Sequence, residues 1–302
     1  MSASGKYYFS GIGGSGMSSL AQILKARGHW VGGSDRSHDR KLNGRFFGKL
    51  QRQGIVLYPQ HQGILPRDIE ALIVSSAIEQ GNSEVQQART AGIPVQHRAG
   101  LLAELFNASF GIGIAGTSGK TTVTGMVASI LDAAGKDPSV INGGIIKQYV
   151  TALQIGNAKN GSSSVLVSEV DESDGSIIHF RPKLGVITNI SKDHKELEEL
   201  AALFQTFAAN TARQLIVNGD CRMSRGLRAK AALSFGMQAG SDLVPDAVDC
   251  NAAGSRFTLQ GVPFSLRVPG RHNVANALAA AAVGRAFAIP LRIISRGLAL
   301  FA

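Results

Sequence analysis

Ser109-Phe110-Gly111-Ile112-Gly113-Ile114-Ala115-Gly116-Thr117-Ser118-Gly119-Lys120-Thr121-Thr122 is the stretch that decides the fold. Its first seven residues make an apolar run of strand length, and residues 122–131 carry the apolar spacing of a helix. Strand, glycine loop and helix in that order form a phosphate cradle. Gly116 and Gly119 free the backbone to wrap phosphates, Lys120 reaches the β and γ oxygens, and the Thr121 hydroxyl is placed to ligate Mg²⁺. The full Walker spacing asks for glycine where this chain has Ile114, so the loop is a shortened form, Gly-x-x-Gly-Lys-Thr-Thr.

A second glycine loop lies near the N-terminus. Lys6-Tyr7-Tyr8-Phe9-Ser10 is β-prone, Gly11-Ile12-Gly13-Gly14-Ser15-Gly16 follows, and residues 17–27 space their apolar members as a helix does. Backbone amides and a helix N-terminus then face a pyrophosphate. Asp35 ends a further strand at 30–34 and stands about 20 residues on, where a Rossmann acid meets a ribose. Alone, this pattern points to a nicotinamide cofactor, with a glycine turn that holds no ligand as the competing reading. Two loops of different type imply two phosphorylated ligands, as in an enzyme that uses ATP to join an activated substrate to something else.

A third constellation fits a metal-assisted phosphoryl step. An apolar strand at 164–167 runs into Glu169-Val170-Asp171-Glu172-Ser173-Asp174, and the next strand, 184–188, ends in Asn189-Ile190-Ser191-Lys192-Asp193-His194. Ligands of parallel sheets gather at the carboxyl ends of strands. A solvated acidic turn and a structural histidine are the plain alternatives.

These motifs, with Ser75-Ser76-Ala77-Ile78 and Val268-Pro269-Gly270-Arg271-His272-Asn273-Val274-Ala275-Asn276-Ala277, resemble the successive motifs of the Mur ligase family. The resemblance covers essentially the whole chain. It is strongest to the branch that adds L-alanine to UDP-N-acetylmuramate in peptidoglycan synthesis, and so in cell-wall biogenesis, cell shape and division. It implies an α/β fold with a Rossmann-like UDP-sugar domain followed by a P-loop-type ATPase domain. Gly11, Gly13, Gly14, Ser15, Gly16, Asp35 and Ser76 would then cradle UDP rather than a dinucleotide. Gly116, Thr117, Ser118, Gly119, Lys120, Thr121 and Thr122 would bind ATP together with His272, Asn273 and Asn276. Lys120, Glu169 and His194 would be catalytic, and Thr121, Glu169 and His194 would hold Mg²⁺. The chemistry implied is attack of the sugar carboxylate on the γ-phosphate, then of an amine on the acyl phosphate.

The chain departs from the family at Ser118, where histidine is usual, and in Lys195-Glu196-Leu197-Glu198-Glu199 after His194. It also ends at Ala302, so the family's C-terminal Rossmann-like domain, with its amino-acid site, is expected to be absent and full turnover by this chain alone is not expected. The alternative is a nucleotide- and UDP-sugar-binding relative without turnover.

Composition agrees. The 302 residues are 44% hydrophobic with 36 glycines, enough for two α/β cores, and we place the boundary near residue 108, giving domains 1–108 and 109–302. The net charge of +10 divides evenly, five on each side of that boundary. An even spread argues for anionic small ligands over a nucleic-acid face. One local cluster, Arg36, Arg40, Lys41, Arg45, Lys49 and Arg52, reads as a solvated helix face or as a contact for an anionic surface. The alanine-rich helix at 276–288 reads as core. No run reaches membrane-spanning length and no signal peptide is recognisable. Cys221 and Cys250 lack metal spacing, which fits a reducing cytoplasm. The oligomeric state is left open.

Overall fold

The computed structural model describes residues 4–79, 81–191, 196–227 and 233–302, and in it the chain forms two compact units. The first comprises Met1–Leu105 with Ile141–Ile145 and Tyr149–Asn160; the second comprises Phe106–Val140, Ile146–Gln148 and Gly161–Ala302. Both are α/β. Phe106 falls to the second unit, slightly ahead of the boundary read from the sequence, because its ring packs edge-on against Phe180 at 5.3 Å and fills the space over Gly111.

In the first unit β1 (Lys6–Ser10), α1 (Ser15–Ala26), β2 (Trp30–Ser34), α2 (Arg36–Asp39), α3 (Gly44–Arg52), β3 (Val56–Tyr58), β4 (Ala71–Val74), α4 (Ser83–Thr90), β5 (Val95–His97) and α5 (Arg98–Asn107) follow in order. The five strands are parallel, in the order β3-β2-β1-β4-β5. A parallel sheet covered on both faces wants apolar residues without alternation, and Tyr7, Tyr8 and Phe9 in succession are buried. Leu20, Ile23 and Leu24 of α1 are buried too.

The second unit opens with β6 (Phe110–Ala115), α6 (Lys120–Ala133) and β7 (Ser139–Ile141). β8 (Ala158–Lys159) lies in the segment that packs with the first unit. Then come β9 (Val165–Glu169), β10 (Leu184–Ile187), α7 (Leu197–Asn210), β11 (Gln214–Asn218), α8 (Arg222–Arg225) and β12 (Leu233–Phe235). An antiparallel β13 (Ala247–Asn251), β14 (Gly254–Leu259) and β15 (Val262–Leu266) precede α9 (Arg271–Ala286) and α10 (Leu291–Leu300).

Within this unit the strands of the main sheet run β12-β11-β10-β6-β9-β7. Its first strand in sequence, β6, is therefore central, with later strands on both sides. That is a topological switch point, the place where open α/β sheets bind ligands beyond their strand ends. The alanine-rich helix is indeed core: every residue from 277 to 284 is buried, alongside Val123, Met126 and Val127 of α6 and Ile294 and Leu298 of α10.

Candidate functional site

The second unit's site forms where β6, β9 and β10 end together, with Ile114 in register with Glu169 and Ala115 with Ile187. Gly116 and Gly119 take φ of +137° and +84°, a region closed to most side chains. A Cβ on Gly116 would also fall on Thr188 Oγ1. The loop is clasped from the next strand end. Thr188 Oγ1 donates to Ser118 O at 2.7 Å. Asn189 Oδ1 accepts from Thr117 Oγ1 at 2.6 Å and Ser118 N at 3.2 Å, while its Nδ2 donates to Ser118 O at 3.1 Å and Ser118 Oγ at 2.9 Å.

Lys120 Nζ folds back over this loop. It donates to Gly116 O at 2.7 Å and pairs with Glu172, 2.9 Å to Oε2 and 3.2 Å to Oε1. Side-chain exposure is 16% for the lysine and 6% for the glutamate, so the pair is screened little by water. Thr121 Oγ1 donates to Glu169 Oε2 at 3.1 Å. A hydroxyl and a carboxylate beside Lys120 are hard oxygen donors of the kind Mg²⁺ takes together with phosphate oxygens. Among the described residues no three His, Cys, Asp or Glu side chains cluster as a protein-only metal cage. His194, expected as a third ligand, lies outside the described residues.

A cavity of about 670 Å³ opens beside the loop, lined by Ser118, Thr122, Asn189, His272, Asn273 and Asn276 among others. Its size suits a nucleoside. His272, Asn273 and Asn276 reach it from the first turns of α9. Asn276 Oδ1 stands 2.6 Å from where a Cβ on Gly119 would lie, and its Nδ2 donates to Asn273 Oδ1 at 3.3 Å. The residues expected from the resemblance to bind ATP are thus brought together around one cavity. Asn189, Thr188 and the Glu172 partner of Lys120 were missed as site residues, although each directly follows or lies near a strand end already marked as ligand-facing.

In the first unit, Gly11 N and Ile12 N donate to Ser34 O at 2.9 Å and tie the glycine turn to β2. Asp35 is committed to the same turn. Its Oδ2 accepts from Gly13 N and its Oδ1 from Ser37 N, both at 2.8 Å, so the carboxylate shapes the loop and caps α2. The Arg98 guanidinium, which sequence spacing did not reveal, lies against the N-terminus of α1, 2.8 Å from where a Cβ on Gly16 would stand. It brings a cation to the loop's amides. Next to it, His97 Nδ1 accepts from Ala99 N at 3.3 Å, which leaves Nε2–H to donate to Ser76 Oγ at 3.2 Å.

Beneath the turn, fully buried Glu84 accepts from Tyr8 Oη at 2.8 Å and Ser10 Oγ at 2.5 Å. Burial first, then the neighbouring Glu84 charge, pushes the Tyr8 phenol upward and keeps it a donor. A cavity of about 590 Å³ with Arg36, Arg40, Gln60 and Asn82 in its lining flanks α2.

Comparison with known proteins relates both segments of the chain to one family. The profile of the Mur ligase family catalytic domain matches residues 6–110 and that of the Mur ligase middle domain residues 114–284. UDP-N-acetylmuramate--L-alanine ligase of Gloeobacter violaceus is 38% identical over 97% of this chain and 64% of its own length. That of Xanthomonas campestris pv. campestris strain B100 is 36% identical over 98% and 63%. The chain therefore spans a little under two thirds of these curated relatives. Among solved structures, UDP-N-acetylmuramate-alanine ligase MurC from Thermotoga maritima superposes with a TM-score of 0.84 at 27% identity, over 98% of this chain and 68% of that one.

Proposed function

The chain belongs to the Mur ligase family, and we propose that it holds the UDP-sugar and ATP sites of a ligase joining L-alanine to UDP-N-acetylmuramate in cytoplasmic peptidoglycan synthesis. The observation that carries this reading is the meeting of Lys120, Thr121 and Glu169 around the glycine loop, in a chain 38% identical to a UDP-N-acetylmuramate--L-alanine ligase.

In the proposed reaction the sugar's carboxylate oxygen attacks the γ-phosphorus of ATP, and the bond to the β-bridging oxygen breaks to release ADP. The amine of the amino acid then adds to the acyl carbon and loses a proton as inorganic phosphate departs. Negative charge gathers on phosphate oxygens in the first step. Lys120 and the amides of Gly119 and Lys120 would stabilise that charge without a covalent nucleophile. Thr121 and Glu169 would hold Mg²⁺, which when bound supplies further neutralisation of the β and γ oxygens. In the first unit, Arg98 and the amides at the start of α1 would take the UDP pyrophosphate, with Ser76 and His97 as nearby hydrogen-bonding groups.

Calorimetric titration with MgATP, with UDP-N-acetylmuramate and with NAD tests the assignment, followed by phosphate release on adding L-alanine. Binding of the first two ligands and not NAD is expected. Failure to bind MgATP removes the central-unit assignment, and NAD binding tighter than the UDP-sugar returns the first loop to a dehydrogenase reading.

A further inference from the structure

Of the basic cluster, Arg45, Lys49 and Arg52 on α3 line neither of the cavities described above. Arg45, Lys49 and Arg52 stand at i, i+4 and i+7 and form one stripe of the helix, opposite the buried Phe47 and Leu50. Two of these cations are turned toward a loop of the same unit. Arg52 Nη2 donates to Ala152 O at 3.2 Å, Gln53 Nε2 to Leu153 O at 2.8 Å and Lys49 Nζ to Gln154 O at 2.9 Å. Three successive carbonyls are thus satisfied from α3 and its C-terminal cap, Gln53. Two amides of the same turn are satisfied as well, since Thr151 Oγ1 accepts from Leu153 N at 3.2 Å and Gln154 N at 2.9 Å.

A surface turn normally leaves such groups to water. Here the carbonyls of residues 152–154 and the amides of residues 151, 153 and 154 are paired within the protein, while exposed apolar side chains surround them: Leu153 is 49% exposed, Val150 43%, and Leu42 before α3 53%. A turn with most of its tip backbone paired and with exposed apolar side chains is suited to leaving water for a less polar layer, because few peptide hydrogen bonds to water are given up. The charge around it has one sign. No Asp or Glu occurs between Asp39 and Asp68, nor between Asp137 and Glu169, the two stretches that supply α3 and this loop.

We infer that α3 and the 150–154 turn form a docking face for an anionic phospholipid surface, with Leu153 and Val150 entering the headgroup layer and Arg45, Lys49 and Arg52 meeting lipid phosphates. A second copy of the chain is disfavoured, because a symmetric contact would set these cations against one another. A protein partner is disfavoured by size: a few apolar side chains on a turn fall short of the roughly 800 Å² per partner of a stable protein interface. Headgroup layers, by contrast, take up isolated apolar side chains beside cations. The attachment is peripheral, as no described helix is long and apolar enough to cross a membrane. It is independent of the ligase reading.

The test is co-sedimentation of the full chain with vesicles of phosphatidylcholine alone or mixed with phosphatidylglycerol, at low and high salt. Salt-sensitive binding to the anionic vesicles only is expected. Arg45→Glu, a change of two charges, should weaken it about thirty-fold, and Leu153→Asp about ten-fold or more. Ile178→Asp, at an exposed apolar position of the second unit, should bind as wild type, and unchanged thermal midpoints should show that all three variants fold. No binding to anionic vesicles, equal binding to neutral ones, or binding unaffected by Arg45→Glu and Leu153→Asp would each overturn the proposal. Retention on an acidic protein without any lipid binding would do the same.

Discussion

Replacing Lys120 with alanine should do two separable things, and the structure says how to tell them apart. The first is loss of phosphate binding: one charge-assisted contact contributes about 1.5–3 kcal/mol, so MgATP affinity should fall about ten- to hundred-fold. The second is damage to the protein without nucleotide. Glu172 is only 6% exposed on its side chain, and Lys120 is its ion-pair partner at 2.9 Å. Stripping one member from a buried pair leaves an uncompensated charge and costs about 3–5 kcal/mol. The lysine's 16% exposure admits some water, so the lower end, about 3 kcal/mol, is expected. For a cooperative unit of this size that lowers the thermal midpoint by roughly 6–12 °C.

Adding Glu172→Gln to Lys120→Ala removes the stranded charge. The double variant should regain most of the lost stability and none of the lost affinity. Glu172→Gln alone should bind MgATP at least as tightly as wild type, because a carboxylate no longer competes with phosphate for Nζ. Calorimetric unfolding and nucleotide titration of the four proteins make the cycle. If Lys120→Ala costs less than about 1 kcal/mol of stability, or if Glu172→Gln fails to rescue it, the pair is not the buried unit described here.

Three further outcomes are expected. Asn189→Ala removes bonds to Thr117 and Ser118, and at about 1 kcal/mol each should weaken MgATP ten-fold or more with little change in UDP-sugar binding; equal effects on both ligands would deny it a local role. Gly13→Val places its Cβ 2.6 Å from Asp35 Oδ2, so titration should show UDP-N-acetylmuramate binding lost with MgATP binding kept, and retention of the UDP-sugar would reject the first-loop site. His29 accepts from Gly5 N at 3.0 Å and burial holds its pKa below the ordinary 6.5. The unfolded chain then takes up a proton that the folded chain refuses, so stability should fall as pH drops below about 6.5; His29→Gln should flatten that fall in a melting series, and an unaltered slope would show the dependence lies elsewhere.

The two glycine loops were legible in the sequence because their conformation is local. Gly116, Gly119, Lys120 and Thr121 sit within one turn of chain, and the conformations they require are properties of glycine and of a helix N-terminus. The same holds for Gly11–Gly16, and for the strands that lead into both loops, whose apolar runs announce burial on two faces. Longer-range assignments needed the resemblance, as for Asn276, which the fold brings against Gly119. What only the tertiary structure decided is which distant groups share those loops. Asn189 clasps the second glycine loop from 71 residues away only because β10 lies beside β6, and Arg98 meets Gly16 only because both lie near the ends of parallel strands. Asp35 stands at the spacing of a ribose acid, yet the turn's own Gly13 amide claims its carboxylate. Spacing along a chain records what neighbours can do together. Which partner a charged or amide side chain takes is settled by strand order and burial, which place one candidate within hydrogen-bond reach and leave the others in water.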